Sequence, residues 1–187
     1  MRVVAGAYKG RRLAAPRRGA TRPTPDRVRE AIFDVLGAVE GEHVLDLYAG
    51  SGALGIEALS RGAADATLVD SDPLAVRAAR ENVDRLGIEA ARVVRSGVPA
   101  FLRAAARRGE RWGLVFCDPP YRLAPRLARD LDGLVPPVLA EEALVVCESS
   151  HRQPLRLDLR VVTERRYGDT IVIVYAGAAG ARADDGG

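Results

Sequence analysis

From residue 43 to residue 148 the sequence repeats one pattern: a short apolar run, a turn, then a helix-length amphipathic stretch. The apolar runs at 43–48, 66–70, 92–95, 113–117 and 143–148 are strand-sized. Between them lie a glycine turn leading into a helix that ends near Arg61, and a helix opened by Asp72-Pro73 that runs to Leu86 and stops at Gly87. Two more helices are expected over 99–108 and 124–134. Repeated strand–helix units of this kind predict an α/β fold, a mostly parallel sheet covered by helices on both faces. The alternation then breaks. Residues 160–167 and 170–176 are β-rich with only Gly168-Asp169 between them, which predicts an antiparallel hairpin closing the sheet.

The segment before this core is different in charge. Residues 1–29 hold eight Arg and Lys9 against the single acid Asp26, a net of +8, whereas the other 158 residues carry a net of −5. A cationic end on a mildly acidic body suits a polyphosphate partner. Residues 2–5 and 11–14 are expected to be short strands joined through Gly6 and Gly10, a basic β-hairpin. Thr24-Pro25 then reads as N-cap and first residue of a helix whose apolar stripe is Val28, Ala31, Ile32, Val35 and Leu36. Arg27 and Arg29 lie off that stripe, free to face a partner. The expected division is a basic arm over 1–20, an α/β domain over 21–176 and a frayed tail over 177–187.

At 187 residues the chain supports one domain with a real core. Its longest run without a charged side chain, residues 170–181, has twelve residues, short of the roughly 18 a spanning helix needs. The N-terminus becomes charged before a signal-peptide core can form. A cytoplasmic protein with no membrane contact, acting as a monomer, is the expectation. Cys117 and Cys147 lack CxxC spacing and make no zinc set with His43 and His151, so they read as reduced core thiols and no metal is expected. There is no GKS/T phosphate loop and no GxSxG nucleophile elbow.

The first strand–helix junction reads Val44-Leu-Asp-Leu-Tyr-Ala-Gly-Ser-Gly-Ala-Leu-Gly55. Gly50, Gly52 and Gly55, with Ser51 and Tyr48 beside them, let the backbone turn tightly, approach a ligand and pack the next helix on the sheet. Asp70 ends the second strand, where a carboxylate accepts both ribose hydroxyl protons. These features fit NAD and S-adenosylmethionine equally. Asp46 separates them: a carboxylate at this strand end opposes a pyrophosphate but suits a ligand carrying an ammonium and a sulfonium. A plain helix-capping role for Asp46 is the bland alternative. The closing hairpin also fits the seven-stranded sheet of class I S-adenosylmethionine-dependent methyltransferases, a Rossmann-like fold, better than a dinucleotide dehydrogenase. In that fold the third strand usually carries an acid or amide that helps hold adenine. Here Gly97 occupies that place, leaving Ser96 or backbone N–H groups to do it.

The fourth strand leads into Asp118-Pro-Pro-Tyr121. An exocyclic amine on a base is a poor nucleophile because its lone pair is delocalised into the ring. It needs acceptors that hold its hydrogens and turn the lone pair toward the methyl group. Asp118 and the Pro119 carbonyl supply two acceptors, Pro120 stiffens the loop, and Tyr121 offers a face on which an extruded base stacks. The segments Arg2-Val-Val-Ala-Gly, Gly10-Arg-Arg-Leu, Arg22-Pro-Thr-Pro-Asp-Arg-Val-Arg-Glu30 and Tyr167-Gly-Asp-Thr170 join these two motifs in a pattern that resembles the RsmD family over about residues 1–176. The Arg-Pro-Thr segment is the most particular of them.

That resemblance implies S-adenosyl-L-methionine as cofactor and the N2 amine of a guanine in 16S rRNA as substrate, in the small ribosomal subunit or its assembly intermediate. The cofactor would be held by Asp46, Tyr48, Gly50, Ser51, Gly52, Gly55, Asp70, Ser96, Gly97 and Asp118. RNA would meet Arg2, Lys9, Arg11, Arg12, Arg22, Arg27 and Arg29. Rival readings are a methyltransferase for DNA adenine or protein glutamine, which commonly has Asn where this chain has Asp118, and an NAD-linked oxidoreductase, which Asp46 opposes. A non-catalytic RNA-binding assembly factor is the third, and it leaves Asp46, Asp70 and Asp118 without a purpose.

Overall fold

The structure, a computed structural model, describes residues 1–15, 26–119 and 124–177. Among the described residues the chain has seven strands and five α-helices. The elements follow in sequence as α1 Asp26–Leu36, β1 His43–Leu47, α2 Ala53–Ser60, β2 Asp65–Asp70, α3 Pro73–Leu86, β3 Ala91–Arg95, α4 Val98–Arg108, β4 Trp112–Cys117, α5 Ala124–Leu134, β5 Leu139–Ser150, β6 Arg160–Tyr167 and β7 Thr170–Ala176. From residue 26 onward the expected elements are present, most within a residue or two of their expected bounds. The exception is β5, which runs four residues further upstream and two further downstream than its apolar stretch suggests. No helix among the described residues is long and apolar enough to cross a membrane.

The chain forms two compact units, Met1–Val98 and Pro99–Gly187. In the first, β1 pairs in parallel with β2, and β2 with β3. Val44, Leu45 and Leu47 of β1 and Leu68 of β2 are wholly buried, and Ile56 and Ala58 of α2 are buried with them. Helix α3 begins as its sequence dictates: Asp72 caps it by accepting Leu74 N–H at 2.9 Å, Pro73 follows, and Gly87 ends it with a left-handed φ of 66°.

The N-terminal segment departs from expectation. Its hairpin is closed by a single bridge between Arg2 and Arg12, not by two strands. The reason is that Val4 and Ala5 N–H donate to the Glu57 carboxylate of α2, at 2.7 and 2.9 Å, instead of to a cross-strand partner. Glu57 is fully buried and also receives Arg61 Nε at 2.9 Å, with Arg29 Nε at 3.6 Å. Arg29, expected to face a partner, is itself fully buried. It donates to Asp26 Oδ1 at 3.0 Å and to the Arg2 carbonyl. The buried face of α1 is therefore Val28, Arg29, Ile32 and Phe33, while Val35 of the expected stripe is 37% exposed. A desolvated carboxylate on α2 needs a cation, and meeting that need turns the helix. Thr24 and Pro25 lie outside the described residues, as does the tail beyond residue 177.

In the second unit β4 pairs in parallel with β5, and β5, β7 and β6 run antiparallel in turn. Every residue of β7 is buried, whereas β6, at the sheet edge, is mostly exposed. Cys117 and Cys147 are both buried and are direct register partners on β4 and β5. Tyr175 accepts Leu157 N–H at 3.2 Å and donates to the Leu155 carbonyl at 3.3 Å, and burial pushes its phenol up to about 12. The two bonds tie the irregular stretch after β5 to β7.

The buried ion pair gives a test. Arg29→Met leaves the Glu57 carboxylate without its buried cation, so urea denaturation should show a loss of about 3–5 kcal/mol of unfolding free energy. A loss under about 1 kcal/mol would show that Arg61 and the two backbone donors suffice.

Candidate active site

The loop between β1 and α2 is built from left-handed residues. Tyr48 has φ 61°, Gly50 58° and Gly52 78°, and Gly52 N–H closes the turn on the Ala49 carbonyl at 2.7 Å. The glycines act differently. A Cβ on Gly50 would meet nothing within 4 Å, so the backbone there is open to a ligand. A Cβ on Gly55 would stand 2.2 Å from Leu68 Cδ2 of β2, so this glycine lets α2 lie directly on the sheet.

Two carboxylates organise this loop. Asp46 Oδ2 accepts Gly55 N–H at 3.0 Å, in the first turn of α2. Asp46 is 1% exposed, and burial, reinforced by the nearby Asp70 and opposed by the Gly55 bond, pushes its carboxyl up to about 7. Asp70 accepts Gly50 N–H on Oδ2 and Asp72 N–H on Oδ1, both at 2.9 Å. Each Asp70 oxygen keeps a second lone pair for a further donor such as a hydroxyl. Ser96 N–H continues the ladder to the Asp70 carbonyl at 2.9 Å. The exposed Ser96 hydroxyl bonds the Gly97 carbonyl at 3.2 Å, and a side chain on Gly97 would meet nothing within 4 Å. The first unit thus gathers Asp46, Gly50, Ser51, Gly52, Gly55, Asp70 and Ser96 at the C-terminal ends of parallel strands, where open α/β sheets take ligands. This donor set, two acids beside the open space at Gly50, fits a ligand with a ribose and a positive charge.

The second unit carries Asp118 and Pro119 immediately after β4, Asp118 partly buried and Pro119 buried. Pro120 and Tyr121 lie outside the described residues, as does Arg22. Of the expected RNA contacts, Arg2, Lys9, Arg11, Arg12 and Arg27 are exposed. Arg2 is held 3.6 Å from Asp26. Arg29 is the correction: buried on Glu57, it is not on the surface at all.

Residues 1–176 match the model of the family described as Conserved hypothetical protein 95. The chain belongs to that family, the RsmD family. It is 41% identical over 152 residues to Ribosomal RNA small subunit methyltransferase D of Escherichia coli (strain K12), covering 80% of this chain and 74% of that protein. To YlbH of Bacillus subtilis (strain 168) it is 38% identical over 184 residues, 94% of this chain and 98% of that one. Among solved structures, a hypothetical protein of Thermus thermophilus superposes with a TM-score of 0.81 at 36% identity, covering 94% of this chain and 98% of that chain. The fold is accordingly that of the class I methyltransferases, and the RsmD family is S-adenosylmethionine-dependent.

Within this RsmD-family chain, two residues that matter to the loop escape a motif search. Glu57 and Asn82 are fully buried polar side chains on otherwise apolar faces of α2 and α3. Their signal is a polar residue inside a helical apolar stripe, at Glu57 beside Ile56 and Ala58, and at Asn82 beside Ala78, Ala79 and Val83. Asn82 Nδ2 donates to the Ser51 carbonyl at 3.0 Å, so α3 holds the glycine loop from behind.

The raised Asp46 carboxyl has a measurable consequence. In the unfolded chain it titrates near 3.8, in the fold near 7. The stability it contributes is therefore full below about pH 4 and is lost as pH rises to about 7. In the ligand-free protein Asp46→Asn should match wild type near pH 4.5 and exceed it at pH 8 by as much as a few kcal/mol. Thermal unfolding across that range checks it. Parallel profiles for the two proteins would place the proton elsewhere.

Proposed function

We propose that this chain transfers the methyl group of S-adenosylmethionine to the exocyclic N2 amine of a guanine in 16S rRNA, of the guanine-966 type, in the small ribosomal subunit or its precursor. The observation that carries the cofactor assignment is the Asp46–Asp70 pair on the open glycine loop. Relatives named as rRNA small subunit methyltransferases support the substrate class.

In this reading Asp70 holds the two ribose hydroxyls with its remaining lone pairs. Asp46 offers Oδ1 to the ammonium end, and the nearby positive charge brings its carboxyl back down into the ionised form. The Gly50, Ser51 and Gly52 backbone lies along the ligand, with Tyr48 and Gly55 shaping the turn, while Ser96 and the open space at Gly97 receive adenine. When bound, S-adenosylmethionine supplies an electrophilic methyl on a sulfonium. Asp118 and the Pro119 carbonyl accept the hydrogens of the guanine amine and aim its lone pair, Asp118 taking the proton as positive charge develops on nitrogen. Pro120 keeps that loop stiff, and Tyr121 stacks on the base. Arg2, Lys9, Arg11, Arg12, Arg22 and Arg27 meet RNA phosphates, which makes binding steeply salt-dependent.

Single-turnover methyl transfer to 30S particles lacking the modification, with cofactor saturating, tests the assignment. Asp118→Ala should keep cofactor affinity within a few-fold while transfer falls by roughly 10². Asp70→Ala should do the reverse, weakening cofactor binding by about 1.5–3 kcal/mol in calorimetry. Wild-type transfer by Asp118→Ala would sink the acceptor mechanism. For the cationic segment, Arg11→Ala with Arg12→Ala should lower RNA affinity and shallow its salt slope by about two phosphate contacts.

A further inference from the structure

The Asn82 side chain uses its full hydrogen-bonding capacity. Its Oδ1 accepts Ala14 N–H at 2.7 Å and Arg85 Nη2 at 2.6 Å, and its Nδ2 donates to the Ala14 and Ser51 carbonyls, both at 3.0 Å. A buried amide in an apolar helical stripe is costly unless satisfied, and here the bonds that satisfy it join two segments distant in sequence. One is the end of the N-terminal segment, and the other is the glycine loop. The start of the same segment reaches that loop too: Met1 Sδ lies 3.7 Å from Ser51 Oγ, and Leu13 N–H bonds the Met1 carbonyl at 3.1 Å. The start of the segment therefore touches Ser51 directly and its end reaches Ser51 through Asn82, while Arg2, Lys9, Arg11 and Arg12 on it are exposed.

We propose that Asn82 is a positioning residue that couples this cationic segment to the glycine loop, so that RNA on the segment and cofactor in the loop tighten each other. The inference rests on the function proposed above. The docked segment and the ordered loop share one amide, so whatever ligand orders the first lowers the cost of ordering the second. The effect is reciprocal by linkage. Its use is to time cofactor commitment, since the loop is held most firmly when the polyanion to be modified is present.

The test is calorimetric titration of S-adenosylhomocysteine into the full chain, with and without purified 16S rRNA. In wild type, RNA should tighten the nucleoside by about fivefold or more. Asn82→Ala should bind RNA with unchanged salt slope yet show the same nucleoside affinity with and without RNA. Asn82→Asp, which keeps the acceptors but loses both donors, should behave alike. Arg85→Ala removes only the fourth bond and should retain the coupling, which a general loss of stability would not. Should the Asn82 variants fail to fold, hydrogen exchange in wild type decides: RNA must slow exchange at the Ser51 and Gly52 amides. An RNA effect that persists in Asn82→Ala, or exchange at the loop that ignores RNA, overturns the proposal while leaving the cofactor assignment standing. A wild-type chain that binds RNA but no S-adenosylhomocysteine removes both.

Discussion

Helix α2 lies so close to the sheet that Gly55 has no room for a Cβ, and much of the first unit depends on that approach. It brings Gly55 N–H within 3.0 Å of Asp46, so a carboxylate at the end of β1 caps the helix that follows it. It sets the span of the glycine loop, whose Gly50 N–H then reaches Asp70 at the end of β2. A methyl group at position 55 would strike the wholly buried Leu68 side chain and press on Asp46 behind it.

The same helix carries the second organising group. Glu57 sits two residues beyond Gly55, and bringing its carboxylate into the core obliges the chain to supply donors from three directions. The N-terminal segment supplies two backbone N–H groups, α1 supplies Arg29, and the helix itself supplies Arg61, whose guanidinium also lies over the Phe33 ring at 4.6 Å. Burial of ions in this way is a weak source of net stability but a strong source of uniqueness, since any other docking strands a charge. The cationic segment is consequently no loose arm. Its backbone bonds inward to α2 and α3, Val3 and Leu13 are buried, and its cationic side chains Arg2, Lys9, Arg11 and Arg12 are left outward.

Electrostatics divides the chain's acids by task. Asp70, bridged by two backbone donors, is held at a strand end with lone pairs to spare. Asp46, buried and bonded to Gly55 N–H, has its carboxyl pushed up to about 7 by desolvation. Asp72 is a plain helix cap. Three aspartates in one short stretch of structure therefore have three chemistries, set by burial and partners and not by residue type.

Periodicity, turn residues and caps are local, so the strands, the helix from Pro73 to Leu86 and the closing hairpin were legible in the sequence. The glycine pattern likewise marked the loop, because a left-handed turn and a close helix contact both demand glycine whatever surrounds them. What the sequence could not disclose is which way a charged side chain turns. Arg29 looked like a surface residue because arginine on a short helix usually is one, and only the fold shows the buried Glu57 that claims it. The hairpin strands at 2–5 and 11–14 were lost to the same carboxylate. Asn82 carried no motif, since its partners lie 68 and 31 residues away and distance along the chain says nothing of distance in space. The chain alone determined the elements and their order, through short-range sterics and alternating hydrophobicity. The tertiary structure alone decided where the buried polar groups find their partners, because desolvation acts only once the core has closed.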